Sequence, residues 1–551
     1  MRGGLVWAFK ERVVAQAERE HRSEAGGPRR RGGGRRRGRL PVVALAGAGV
    51  VALVVVSGGG GCQSYEPRPL DLPGHAGSFL SRRAGDAEAV AHAATMGRVF
   101  DPSDGLSLAE GEVVALVYNG EARAARARAL NCVACVGAAG AWEDPTFGVD
   151  LARIVESVAE PWKIAGAVGL TVPISGRLRL DRLHAEAEQA AEVMRAVRTE
   201  WGVRMGLRRA WIAWSSARSR AEVTAAALAW CDEIVRIVSE QERLGAVSRA
   251  EANVYRIERA MLDLELDRLR SAERRGELEV LRIMGLPPPS GSPGEASLGA
   301  GLVPWGIDEV SPAAVGSEAL RARLLSGNAD TAVASAEYAV AERLLEWEIR
   351  KQYPDIEIGP GVAEEDGLGE VRLGLSVRLP IFNRNKRGIA EARTARDGLH
   401  AEVLAMVERL IGALAQAEDR HASAGAVMAS IRDSAIPLVE QQAGMVRRLL
   451  TLGEANMLVL LETLQQERRV RVELVEARAE VALASVDLAE LAGPDLLALM
   501  GPVPSGMVGH AGQPGSHGAA GDPACKCPEC VAARRANPEE HGAETPRSEN
   551  P

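Results

Sequence analysis

The same long pattern occurs twice in this chain, and that duplication constrains its fold more than any other feature. Pro173-Ile174-Ser175-Gly176-Arg177 returns as Pro380-Ile381-Phe382-Asn383-Arg384, 207 residues later. Leu244-Gly245-Ala246-Val247-Ser248 returns as Leu452-Gly453-Glu454-Ala455-Asn456, and Gly285 as Gly493, both at 208. Three landmarks at one spacing mark an internal repeat.

Between the first two landmarks of each copy lies a run rich in Ala, Glu, Arg and Leu, at about 175–244 and 385–452. Each is read as one unbroken helix. At 1.5 Å per residue, about 70 residues reach roughly 105 Å, too long for an ordinary globular core. Gly245 and Gly453 suit the left-handed turn that ends a helix, and Ser248 and Asn456 suit the cap that starts the next. The returning helices, 248–284 and 456–491, are about half as long. Further helices at 312–352 and 106–139 are expected to stack end to end on the first and the second of these, respectively.

Before each long helix come two strand-like segments. In 370–380, EVRLGLSVRLP, the residues Val371, Leu373, Leu375, Val377 and Leu379 alternate with Glu370, Arg372, Gly374, Ser376 and Arg378. That is period two with charge on one side, over a length that crosses a bilayer at a tilt. Fainter strands are expected at 355–362, 146–151 and 163–172. The chain has only five Phe, nine Trp and five Tyr. Trp142, Phe147, Trp162, Tyr353 and Phe382 all fall near strand ends, as in the aromatic girdles of membrane barrels. Four strands cannot close a barrel, and open edges are excluded from lipid. Strands that span a membrane therefore require several copies, and three would supply twelve strands.

Charge is divided unevenly. Residues 1–39 carry twelve Arg/Lys against four Asp/Glu, so the rest is strongly acidic within a net charge of -8. Such a body repels phosphate backbones, which excludes nucleic acid as a partner. The basic run leads into an apolar segment, 40–57, and then to Gly58–Gly61 and Cys62. This order reads as an export signal or membrane anchor. A small residue before Cys62 also resembles a bacterial lipoprotein signal, which would make Cys62 the acylated N-terminus.

Seven Cys in an exported chain of this length do not make a disulfide framework. Cys132 and Cys135 lie in a helical pattern and are expected to pack as small apolar residues, and Cys231 stands alone. Cys525, Cys527 and Cys530, with His510, His517 and His541 nearby, either bind a soft metal through thiolates or form a tail disulfide or a chance cluster. His184, His400 and His421 read as solvated positions on charged helices. No phosphate loop, H-E-x-x-H or G-x-S-x-G occurs, so no enzyme activity and no cofactor are expected.

Several stretches together resemble the TolC-like outer-membrane efflux family. They are LSLAEGEVVALVYNGEARAARARA at 106–129, VRLPIFNRNKRGIAEARTARD at 377–397 with its copy TVPISGRLRLDRLHAEAEQA, and the two Leu-Gly turns. The likeness covers roughly 100–495, and the layout resembles the heavy-metal efflux branch. Gly120 stands after Asn119 where many members have Pro.

The resemblance implies a mainly α protein with four membrane strands per chain. A homotrimer would close a twelve-stranded β-barrel in outer-membrane lipid, continued by an α-helical barrel across the periplasm. It implies a passive exit channel for small molecules or metal ions, working with a periplasmic adaptor protein and an inner-membrane pump. The adaptor would dock at the tips, Leu244, Gly245, Ser248, Leu452, Gly453 and Asn456, and Arg372 and Arg378 are candidates to line the pore. Two rival readings are a periplasmic adaptor, which carries one hairpin between small β-domains, and an envelope-anchored structural coiled coil, which has no alternating strands.

The expected organisation is a basic region with signal or anchor at 1–61, a linker at 62–105 and repeat 1 at 106–286. A Pro/Gly-rich connection at 287–311, repeat 2 at 312–493 and a disordered tail at 494–551 follow.

Overall fold

The computed structural model describes residues 65–95, 100–101, 105–153, 155, 162–289, 301–304, 317–365, 368–452, 454 and 456–493. Cys62, Gly453, Cys525, Cys527, Cys530 and most of 287–311 lie outside the described residues. The described residues begin with helices α1 (Leu72–Leu80) and α2 (Ala87–Thr95). The first set continues with α3 (Leu108–Tyr118), α4 (Gly120–Ala138), β1 (Thr146–Arg153), β2 (Trp162–Val172), α5 (Arg177–Arg243) and α6 (Arg249–Met284). The second set repeats the order with α7 (Ser317–Gly327), α8 (Ala329–Arg350), β3 (Ile356–Glu365), β4 (Leu368–Val377), α9 (Lys386–Ser430), α10 (Ile436–Leu452) and α11 (Met457–Ala492).

The first long helix forms as its composition dictates: α5 runs 67 residues without interruption, about 100 Å. Its counterpart is broken, contrary to the expectation of one unbroken helix. A π-helical turn, Ile431–Ala435, separates α9 from α10, and the Ile436 amide donates to the Ile431 carbonyl five residues back. The cause is Pro437. It has no N–H for the Asp433 carbonyl and its ring crowds that carbonyl, so the turn before it widens.

The starts of the long helices also differ by 209 residues rather than 207, from Arg177 to Lys386. The second copy spends two more residues between its Pro and its helix, and Arg384 and Asn385 take left-handed backbone there. Asn385 Nδ2 holds this turn by donating to the Glu348 carbonyl at 2.8 Å.

End-to-end stacking occurs, but with the partners exchanged relative to expectation. Asn119, which caps α4, donates from Nδ2 to the Ile283 carbonyl at the end of α6, at 2.8 Å. Asn328, which caps α8, donates to the Leu491 carbonyl at the end of α11, at 3.0 Å. Each short helix thus extends the returning helix of its own copy. The last carbonyls of one helix find a donor in the residue that starts the next. Gly285 and Gly493 close the joints at φ 72° and 84°. A Cβ on either would lie 2.4 Å from the Tyr118 carbonyl oxygen or 2.1 Å from that of Gly327.

The helices stand side by side in four columns: α6 extended by α4, then α5, then α11 extended by α8, then α9–α10. The four antiparallel strands follow the same order, β1-β2-β3-β4. Each strand is joined to the neighbouring column through a short link, so sheet order and column order agree. The largest core cluster sits midway along α5, where Trp211 and Leu207 meet Val114, Leu281, Met284 and Leu302. Trp211 Nε1 donates to the Val303 carbonyl at 3.0 Å, and Leu106 pairs with Leu302 in an isolated bridge.

Candidate functional site: the sheet faces and the hairpin tips

Register decides which side chains share a face of the sheet. Phe147 pairs with Val168, Val149 with Gly166, and Leu151 with Ile164. Leu170 and Val172 pair with Ile358 and Ile356. Ile358, Pro360 and Val362 then pair with Leu375, Leu373 and Val371. Directly opposed residues point the same way, so these side chains form one continuous apolar face. It is uncovered: Leu151 is 67% exposed, Val371 89% and Leu373 76%. The alternation seen in 370–380 thus extends over all four strands. The observed bounds differ at the ends, with β4 spanning Leu368–Val377 and β1 running on to Arg153.

The opposite face is built from small and charged residues. Gly148, Ala165, Ala167, Gly359, Gly361, Ala363 and Gly374 pair among themselves or with Asp150, Glu370 and Arg372. Arg372 lies here and is ion-paired to Glu370 at 2.8 Å, so it does not present a lone positive charge. Arg378 follows the end of β4 and is exposed. Trp142, Phe147, Trp162, Tyr353 and Phe382 are all exposed at the strand borders.

A charged cluster fixes the junction between sheet and helices. Arg177 donates to Glu143 at 2.7 Å and pairs with Asp355 at 2.8 Å. Ser175 Oγ donates to the same Asp355 at 3.1 Å. These bonds tie the start of α5 to the entry of β3, so the two strand pairs are held in one sheet.

At the opposite end of α5 and α9–α10 are the hairpin turns. Leu244 is exposed, and Gly245 takes φ 77°. The Ala246 amide donates to the Gln241 carbonyl at 2.9 Å, and Glu454 repeats the bond to Leu449 at 3.0 Å. Ser248 begins α6 in a reciprocal capping box with Glu251. Those bonds from Ser248 hold the Glu251 carboxyl below its usual range. Asn456 caps α11 by accepting from the amides of Leu458 and Val459. Leu452 is exposed.

The two hairpins pack on each other above the tips. Cys231, Ile234, Tyr255 and Leu262 of the first share a core with Val446, Leu460 and Leu464 of the second. Burial pushes the Cys231 thiol up to about 11, in keeping with a packing role. Polar links lie around this core: Arg468 pairs with Glu265 at 2.7 Å, and Gln465 donates to Glu258 at 2.8 Å. The Arg447 guanidinium lies 4.7 Å from the Trp230 ring centre and also bonds Glu467. Sequence reading missed these residues, because only the packing of one hairpin on the other brings them together.

It also missed Glu112. This carboxylate of α3 is buried with Arg204 of α5, 2.7 Å away, and Arg208 pairs with it at 2.6 Å. Burial pushes its carboxyl up, but the two guanidiniums overcome that and hold it below the usual range. Cys132 is only half-buried and Cys135 is exposed, so the expectation that both pack as small apolar residues does not hold for Cys135. Among the described residues no three His, Cys, Asp or Glu are grouped to hold a metal. Among them, too, no helix is long and apolar enough to cross a membrane.

No family model matches the chain, and no curated protein matches it in sequence. Solved structures do match it in fold. The outer membrane protein VceC from Vibrio cholerae aligns with a TM-score of 0.56 at 15% identity, over 70% of this chain and 96% of its own. A membrane protein from Pseudomonas aeruginosa aligns with 0.59 at 13%, over 78% and 96%. The open state of the MtrE outer membrane channel of Neisseria gonorrhoeae aligns with 0.56 at 15%, over 70% and 89%. The chain therefore has the TolC-like fold, in which a small antiparallel sheet continues into long helical hairpins.

Proposed function

We propose that three copies of this chain form a passive exit channel of a tripartite export system in the outer membrane. The observation that carries this reading is the sheet: one face apolar along most of its length, with Arg153 at its border and its outer strands exposed, the other small and charged, with edges at β1 and β4. In water an apolar face of that size is a liability, whereas in lipid it is the required exterior. Open edges cost too much there, so β4 of each copy pairs with β1 of the next and twelve strands close a barrel. The small residues face its lumen and leave it wide.

The helical columns then continue the barrel as a tunnel through the periplasm. The tips at Leu244, Gly245, Ser248, Leu452, Gly453 and Asn456 dock the adaptor protein, which couples to an inner-membrane pump. Leu244 and Leu452 supply the apolar contact. Cys62 carries the lipid, and Arg372, Arg378 and the charges opposed to them line the pore. The cargo is small molecules or metal ions, with Cys525, Cys527 and Cys530 as a thiolate site for a soft metal. No step of this function requires catalysis. Two hairpins rather than one favour the channel over an adaptor, and the amphipathic sheet favours it over a structural coiled coil.

Insertion of the purified protein into planar bilayers tests the proposal. Discrete, long-lived conductance steps are expected. Protein that stays in the soluble fraction and never conducts would overturn it.

A further inference from the structure

Of the described cysteines, Cys231 is buried in a core, whereas Cys132 is half-buried and Cys135 exposed on α4. α4 is continuous from Gly120 to Ala138, and residues three apart on a helix are neighbours, with Cβ atoms about 5–6 Å apart. That spacing is wider than the roughly 3.5–4.5 Å between the Cβ atoms of a disulfide, so closing one would distort the helix. It does suit a metal ion held between the sulfurs, because two thiolate bonds of about 2.3 Å each span the gap.

The surroundings favour a cation. Packing of Ala129 beside Val193 and Ala196 sets the level of α4 against α5. Glu188 and Glu192 of α5 therefore stand close to Cys132. Burial, then Glu192, Cys135 and Glu188, push the Cys132 thiol up. A thiol held protonated in this way exchanges slowly with disulfides. A soft cation behaves differently, since it displaces the thiol protons and is drawn to the carboxylates. The opposing charges are Arg128, which is exposed, and Arg195, which is held by Glu192 and, at 2.7 Å, by Glu337.

These carboxylates also mark which side of the helical wall carries the thiols. Through Glu112, α3 covers the side of α5 that bears Arg204 and Arg208. Glu188 and Glu192 precede those arginines by sixteen residues, about four and a half turns, so they look the opposite way. In a ring of the proposed kind the covered side is the exterior, and the side with Glu192 and Cys132 is the lumen.

We infer that Cys132 and Cys135 form a dithiol site for a soft, two-coordinate thiophilic cation such as Hg(II), on the lumen wall between the Asn119 joint and the sheet. Binding breaks two S–H bonds and forms two S–metal bonds. Two protons leave to solvent, and nothing is oxidised or reduced. The lumen placement rests on the proposed channel, whereas the dithiol pairing does not.

Protection from alkylation tests the pairing on the full chain in detergent. The protein is titrated with mercuric ion buffered by excess N-acetylcysteine, then quenched with N-ethylmaleimide and digested. The peptide 129–153 contains Cys132 and Cys135 and no other cysteine, so its mass reports on this pair alone. In wild type both thiols should be protected together and released by 2,3-dimercaptopropanol. In Cys132→Ala, protection of Cys135 should need about tenfold more mercuric ion or beyond, because the second thiol no longer acts at high effective concentration. Equal protection in that variant would mean capture by single thiols and overturn the site. Recovery of the pair as a disulfide, or alkylation of both thiols at saturating mercuric ion, would overturn it too. Unitary conductance in planar bilayers tests the placement. Mercuric ion should lower it in wild type and not in the Cys132→Ala/Cys135→Ala variant, whose tail cysteines are the same. An equal response in the two would overturn the lumen placement. Protection without conductance from either protein would remove the channel and leave the site, and conductance without protection would do the reverse.

Discussion

Asn119 donates from Nδ2 to the Ile283 carbonyl at 2.8 Å, while its Oδ1 accepts from the amides of Glu121 and Ala122 at 2.9 and 3.1 Å. One side chain thus starts α4 and finishes α6. Asn328 does the same for α8 and α11, accepting from Asp330 and Thr331 and donating to Leu491. Two short helices thereby become one column long enough to stand beside α5 or α9–α10.

Replacing either Asn by Ala removes a cap and a tertiary hydrogen bond, both partly buried. A loss of about 1–3 kcal/mol per site is expected from the cap and the orphaned carbonyl together. The joints lie in different columns, so the effects should add to within about 0.5 kcal/mol. Chemical denaturation of the two single variants and the double variant measures this.

The Glu112 pair yields a prediction with a pH sign. Its folded carboxyl titrates below the unfolded one, so its contribution is fully present above the unfolded value, about 4.3. That contribution disappears as pH falls through the lower folded value. Wild type should therefore lose stability more steeply than Glu112→Gln between about pH 5 and 3. Arg204→Met, which leaves the carboxylate buried beside Arg208 alone, should cost about 3–5 kcal/mol at neutral pH. Denaturation midpoints across that pH range check both.

Pro437 makes the second hairpin locally weaker than the first. Amides in 431–437 should exchange faster than those in the unbroken stretch 223–229 of α5, which occupies the equivalent place. Pro437→Ala should restore protection there and leave exchange in α5 unchanged. Hydrogen-exchange mass spectrometry resolves the two segments.

On the sheet, the two faces should respond oppositely to charge. Leu373→Arg places a guanidinium on the apolar face and is expected to cost about 2–4 kcal/mol at mid-bilayer depth, blocking assembly. Ser376→Arg on the other face should assemble and alter conductance instead. The yield of heat-sensitive oligomer from membranes distinguishes them.

Much of this was legible in the sequence, because repetition and periodicity are local signals. The Pro173 and Pro380 blocks, the Leu-Gly turns and the alternation in 370–380 each mark an element within a few residues. What was not legible depends on contacts across the chain. Both joints sit at an Asn, but nothing near Asn119 says that its partner is Ile283 rather than Leu491. The Glu112–Arg204 pair is separated by 92 residues and has no equivalent in the second copy. The break at Pro437 was a local signal in the sequence, and reading 385–452 as a helix free of internal Pro passed over it. At the sheet the apolar alternation was readable in β4 alone, whereas the continuity of the face required the register.

The central claim is that the four strands exist to join copies in lipid. The most direct test is the mass of detergent-extracted protein by native mass spectrometry, compared with a variant lacking 146–173 and 355–380. A trimer from the outer-membrane fraction that is lost on removing the strands is the predicted result. A monomer that is soluble without detergent, with or without the strands, would contradict it.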